Sequence, residues 1–132
     1  MSSAEESITQ TAIAAHEFVQ LYYALFQSRV DELLKMYHQQ AVSNWNGNFF
    51  SGIEQIRNHL ISLTPGKYDI ETYDSQPIGD LAQGGSLLFI VTGRVKYNNN
   101  ENNSREFYHQ FILSRSPENV WFIVSENFRL LR

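Results

Sequence analysis

The sequence runs to 132 residues, 42% hydrophobic and 14% aromatic, with 14 acidic against 10 basic side chains and a formal charge of −4. That length is one domain able to bury its own core, and no two Lys or Arg are adjacent, so there is no basic track for phosphates and direct nucleic-acid binding is excluded. Cysteine is absent, which removes disulfides, thiolate catalysis and Cys-built zinc sites, and no run reaches the ~18 to 20 apolar residues of a membrane span or forms a signal-peptide core. A soluble intracellular chain with no membrane contact is the expectation, as a single domain over residues 1–132 with residues 1–6 flexible.

Residues 7–27 read as a helix, because Ile8, Ile13, Phe18, Tyr22, Leu25 and Phe26 recur near the helical period. Ser7 or Thr9 is placed to cap it behind the acidic Glu5-Glu6 lead. A second helix is expected over residues 30–37, presenting Leu33, Leu34 and Tyr37. Residues 41–45 and 48–50 then alternate as short strands about Asn46-Gly47, a strong hairpin signal. Residues 52–63 return to helix, burying Ile53, Ile56, Leu60 and Leu63, and Pro65-Gly66 ends it.

Strands are expected over residues 68–75, 86–97, 105–115 and 120–130, joined by turn-rich segments at Gly79-Asp80, Gly84-Gly85, 98–104 and 116–119. Helices first and a meander of strands afterwards imply an α+β domain, with the N-terminal helices packed on a strongly curved antiparallel sheet. The expected core sets Phe18, Tyr22, Phe26, Leu34, Ile56 and Leu60 against Phe89, Val91, Phe111 and Phe128.

One parity of residues 86–97 is uniformly apolar: Leu87, Phe89, Val91, Val95 and Tyr97. The other is mixed, with Leu88, Ile90, Thr92, Arg94 and Lys96. Residues 105–115 repeat the contrast, Phe107, Phe111 and Leu113 opposing Tyr108, Gln110, Ile112 and Ser114. A sheet face open to water alternates more cleanly than this. A mixed face has the composition of a protein interface; a solvated face carrying ordinary strand formers is the other reading, and both stay open.

Several motifs in series resemble the nuclear transport factor 2 family. They are Phe18-Val19-Gln20-Leu21-Tyr22-Tyr23, Trp45-Asn46-Gly47-Asn48 with Ser51-Gly52, Asp74-Ser75-Gln76-Pro77, Val91-Thr92-Gly93, Phe111-Ile112-Leu113 and Asn127-Phe128-Arg129-Leu130. The resemblance covers the chain from about residue 16 to the end. It implies a cone of helices closed on the sheet, and a protein that works by pairing rather than catalysis. Within the family, the homodimeric importer of the GDP form of Ran carries acids after the hairpin Trp and after the strand matching residues 91–96. This sequence has Asn46 and Asn98 to Asn100 there, and neutral amides lack the Coulombic part of such a pairing. The Trp-Asn-Gly-Asn string is instead similar to the export branch, the small subunit of the mRNA export receptor.

That branch implies a heterodimer, sheet to sheet, with the matching domain of a large nuclear RNA export factor, and nucleoporin contact through the heterodimer. It implies a chain shuttling between nucleus and cytoplasm and enriched at the nuclear pore, with no cofactor. The partner-binding candidates are Ile90, Thr92, Gln110, Ile112, Asn127 and Arg129 on the mixed face, with Gln76 beside them. Arg129 matches the Arg that makes an ion pair across the family's interface; on residue type alone a solvated surface Arg is the commoner reading, and it shares parity with Asn127, opposite Phe128 and Leu130. Gln76 is placed to hydrogen-bond across an interface, or belongs to a bend at Pro77, where the strand is expected to end. The family's Phe-x-Gln-x-Phe reads Phe107-Tyr108-His109-Gln110-Phe111 here, a one-position shift that moves Gln to the other face unless a bulge intervenes.

Trp45 reads as core or rim packing, with exposure for a partner or a phenylalanine-glycine repeat as the minority alternative. His16, His38, His59 and His109 lack metal-ligand spacing, so no metal site is expected. The fold also hosts isomerases and dehydratases, whose sites need an acid/base group inside the cone. Tyr22, His38, Asp74 and His109 are the residues available for that, but they share no obvious apolar face, and His109 stands alone as a buried-parity strand candidate.

Overall fold

The computed structural model describes residues 3–63, 66–97 and 104–131. Helix α1 (Ser3–Ser28) is followed by a short α2 (Val30–Leu33), a 3-10 turn over Leu34–Met36, the hairpin β1 (Tyr37–Trp45) and β2 (Asn48–Ser51), and α3 (Ile53–Ser62). The meander then runs through β3 (Gly66–Ile78), β4 (Ser86–Tyr97), β5 (Arg105–Arg115) and β6 (Trp121–Leu130). All six strands form one curved sheet in the order β2-β1-β6-β5-β4-β3. The α+β expectation holds, with one addition to the antiparallel sheet: β1 joins β6 in parallel, matching Asn44 with Asn127 and Trp45 with Phe128. The sheet is therefore mixed.

The apolar alternation of the meander is what fixes its inner face. Leu87, Phe89, Val91 and Val95 of β4, Phe107, Phe111 and Leu113 of β5, and Ile123 and Phe128 of β6 are all buried. They meet Val19, Tyr22 and Tyr23 of α1 and Ile56 and Leu60 of α3. Phe18 sets its ring edge-on against Phe89 and Phe111, each at 5.1 Å between centroids, a favourable aromatic arrangement. Phe18, Phe26 and Leu34 are half-buried against this core. Trp45 is in the core, stacked on Phe128 at 4.2 Å.

Local rules misplace several boundaries. Helix α1 begins at Ser3, earlier than the caps suggested, so Ser7 and Thr9 lie inside it. Ile13, counted in the helical period, is 56% exposed, and α1 meets the sheet through Ala15, Val19, Tyr22 and Tyr23; the side chain of Ile8 lies outside the described residues. The helix expected over residues 30–37 stops at Leu33, and Tyr37 opens β1 instead, its hydroxyl held by a buried carboxylate that local sequence does not reveal. Pro77 does not end β3, which runs on to Ile78. That strand lies at the edge of the sheet, where a missing ladder donor is tolerated.

The Asn46-Gly47 turn takes φ values of 54° and 88°, the left-handed pair a two-residue hairpin requires. Asn46 also clips the hairpin to β6: its amide N–H donates to the Phe128 carbonyl at 2.9 Å, and its Oδ1 accepts the Leu130 N–H at 2.8 Å. Gly93 faces the register shift between Ile70 and Thr72. A Cβ there would strike the Asp69 carbonyl and press on the Phe107 ring.

Candidate partner-binding face

Strand pairing fixes which side chains stand together on the face away from the helices. One row runs Phe49, Asn44, Asn127, Gln110, Ile90 and Asp74, crossing the whole sheet from β2 to β3. The next runs Ser51, Val42, Ser125, Ile112, Leu88 and Gln76. A third, on the other side of the first, holds Arg129, Tyr108, Thr92 and Thr72, with the two threonine hydroxyls hydrogen-bonded. Every predicted contact residue therefore lies in one of three neighbouring rows: Arg129, Asn127, Ile90, Thr92, Gln110, Ile112 and Gln76.

Pairing between β4 and β5 is unbroken through this region, so no bulge rescues the displaced Gln: Gln110 faces outward and His109 inward. Ile90, Thr92, Gln110, Ile112 and Asn127 are half-buried, while Gln76 and Arg129 are exposed. Arg129 makes no ion pair among the described residues. Across the sheet, Asp74 has none either. Arg94 and Glu106, at one margin, pair with each other at 3.2 Å.

The sequence reading missed the hairpin end of this face. Phe49 is 78% exposed and Val42 44% exposed, a large aromatic presented beside Asn44 in the first row. A strand of four residues is too short to declare its parity by alternation, so the sheet alone assigns it. Asn98, Asn99 and Asn100 lie outside the described residues.

Beneath the same strands is a buried polar centre. Glu126 Oε1 accepts the Tyr37 hydroxyl at 2.7 Å and Ser43 Oγ at 3.0 Å. Its Oε2 accepts the Tyr22 hydroxyl at 3.0 Å and lies 2.8 Å from His109 Nε2. The Tyr23 hydroxyl lies 2.8 Å from His109 Nδ1. Burial by itself would raise the Glu126 carboxyl, but hydrogen bonds from His109, Tyr37 and Tyr22 outweigh it and hold the group below its ordinary 4.5. Burial lowers His109 below 6.5 in spite of the adjacent carboxylate. A neutral imidazole donating from Nε2 to an ionised carboxylate satisfies both directions and lets Nδ1 accept from Tyr23.

His109 is therefore not alone on its face, as the sequence suggested; Glu126 was the residue missed. Tyr22 and His109 join in this centre, whereas His38 and Asp74 are exposed elsewhere. With His109 at 0% and Glu126 at 3% exposure, the centre is closed to a substrate. His16 bonds the Tyr73 hydroxyl at 2.7 Å, and His59 stacks on Phe50 at 4.1 Å. Among the described residues no cluster of His and acids has the make-up of a metal site, and no helix is long and apolar enough to cross a membrane.

Comparison with known proteins agrees with this architecture. The nuclear transport factor 2 (NTF2) domain profile matches residues 14–130. NTF2-related export protein 1 from Bos taurus is 35% identical over 127 residues, 92% of this chain and 89% of that protein. NTF2-related export protein 2 from Homo sapiens is 32% identical over 128 residues, 92% and 88% of the two chains. The solved structure of nuclear transport factor 2 from Cryptosporidium parvum superimposes with a TM-score of 0.80 at 28% identity, covering 92% of this chain and 94% of that one. Helices closed over a six-stranded sheet, a buried inner face and these relatives together place the chain in the nuclear transport factor 2 domain family.

Proposed function

We propose that the outer sheet face binds the NTF2-like domain of a large nuclear RNA export factor, and that this chain is the non-catalytic small subunit of the resulting heterodimer, supporting mRNA export through the nuclear pore. The carrying observation is Arg129, without an ion pair among the described residues, within three neighbouring rows of mixed amide, hydroxyl and aliphatic side chains. Such a face offers apolar area to bury, hydrogen-bonding groups to set register, and one fork-shaped cation for a partner carboxylate. Relatives named as export proteins support the same reading. In this reading the protein moves between nucleus and cytoplasm, and nucleoporins are met through the heterodimer.

The second reading is a homodimeric carrier of Ran in its GDP form. It draws support from the opposite charges of Arg129 and Asp74 on a single face, neither with an ion pair among the described residues, which a two-fold axis would match between two copies. Asn46 argues against it: an Asp would accept the same bond from the Leu130 N–H, so the clip to β6 does not require an amide, and the amide leaves no charge for a basic partner. Affinity purification from nuclear extract separates the two. Recovery of a large RNA export factor at equal stoichiometry is expected; a symmetric dimer retaining Ran and no large factor rejects the heterodimer.

A further inference from the structure

The Glu126–His109 centre has a closed hydrogen inventory. The carboxylate is met by Tyr22, Tyr37, Ser43 and His109, two on each oxygen, the Tyr22 and Tyr37 hydroxyls also lying 2.8 Å from each other, and the imidazole uses one nitrogen on Glu126 and the other on Tyr23. No exposed surface remains on His109 through which water could take over a displaced bond. A proton arriving at His109 Nδ1 must displace the Tyr23 hydroxyl hydrogen, and Tyr23 has no second hydrogen-bond partner among the described residues to receive it. A buried donor without an acceptor is costly.

The position of the centre gives this chemistry a mechanical consequence. Glu126 sits between Ser125 and Asn127 on β6, and His109 between Tyr108 and Gln110 on β5. Each inward member thus shares its backbone with neighbours that project outward. We propose that this cluster is an acid-sensitive latch on the sheet: one added proton breaks its hydrogen inventory and loosens the β5–β6 pairing from which Gln110, Asn127 and Arg129 project. The latch is a property of the isolated chain. Its consequence, weaker partner binding in acid, rests on the pairing reading above.

The groups that face the centre come from every element packed on it. Helix α1 supplies Tyr22 and Tyr23, β1 supplies Tyr37, β3 supplies Tyr68 and α3 supplies His59. The β4 neighbour across from His109 is Val91, which carries no charge. All four tyrosines are pushed upward by burial, Tyr68 to beyond the range in which it could titrate, so none exchanges a proton near neutrality. Burial also lowers His59, which therefore needs its own control.

The sign follows from linkage. Below 6.5 the unfolded chain protonates His109 while the fold still holds it neutral, so stability present above that pH is lost as pH falls toward the folded value. Glu126 contributes the same way lower down: its share is intact above 4.5 and is lost through its depressed folded value. The upper window belongs to histidine.

The test is the urea midpoint and the amide-exchange protection of β5 and β6 in the isolated chain, compared at about pH 7.5 and about pH 5. Wild type should lose midpoint on acidification, and protection should fall roughly tenfold for each unit of mismatch between folded and unfolded proton affinity. His109→Gln keeps a donor toward Glu126 and an acceptor toward Tyr23 without titrating, so it should flatten most of that slope. His59→Gln should leave most of it. The second probe is the NMR titration of the His109 ring in the wild-type chain, which should fall below the free-imidazole value because burial disfavours the charged form. A flat or inverted wild-type slope overturns the latch, as does an unaltered slope in His109→Gln or, if that variant does not fold, a wild-type His109 ring that titrates at or above 6.5. Partner affinity measured near neutral pH is independent of these outcomes, so failure of the latch and failure of the pairing reading are distinguishable.

Discussion

Arg129 projects from the last strand into solvent with no acid to meet among the described residues. Its backbone is firmly placed, since Tyr108 lies beside it on β5 and the next residue, Leu130, donates to Asn46. The guanidinium therefore has no ion pair among the described residues that a neighbour would miss, which is the ground for proposing it as a partner contact. Arg129→Glu is expected to weaken binding of the large partner at least about tenfold, roughly 1.4 kcal/mol, while the melting temperature of the isolated chain stays put. Titration calorimetry with the partner domain checks the first half and a thermal melt the second; unchanged affinity removes Arg129 from the interface. Phe49, more exposed than any Arg129 neighbour in the rows, extends the face beyond what residue types suggested.

At the scale of elements, the register shift in β3 explains a motif that otherwise reads as a mere family mark. β3 pairs Ile70 with Gly93 and then Thr72 with Thr92, leaving Glu71 as an extra residue on the edge strand. Such a bulge bends the strand and sharpens the twist, and the close approach it creates leaves no room for a Cβ at residue 93. Gly93→Ala is expected to cost about 1–3 kcal/mol through backbone shift and overpacking on Phe107, read as a lower urea midpoint with an unchanged slope. The parity of β4 and β5 was legible in sequence because alternation over 12 and 11 residues leaves a single choice of inner face. The run from Val30 to Tyr37 was not. Helical spacing there is satisfied equally by a short helix, a 3-10 turn and the start of a strand, and the Tyr37 hydroxyl bond decides.

Across the whole molecule, Glu126 ties together segments that are far apart along the chain: Ser43, Tyr37 and Tyr22 lie 83, 89 and 104 positions away. Removing the carboxylate leaves Ser43 and His109 without their buried acceptor and leaves the Tyr22 and Tyr37 hydroxyls only each other. Glu126→Ala is expected to lose about 2–5 kcal/mol through the cavity and the donors left without an acceptor, enough to threaten a domain whose total stability is typically ~5–15 kcal/mol; chemical denaturation measures it, and a loss under about 1 kcal/mol would show the core to be more adaptable than its hydrogen bonds imply. By itself the sequence determined the order of helices and strands, the apolar inner parity of the meander and the outward placement of the candidate contacts, because periodicity and turn chemistry act over a few residues. Tertiary structure decided that β1 joins β6 in parallel, that Phe49 and Val42 belong to the outer face, and that His109 has an acid for company. Those facts depend on which distant strands lie side by side, and no local pattern encodes the partner of a buried charge.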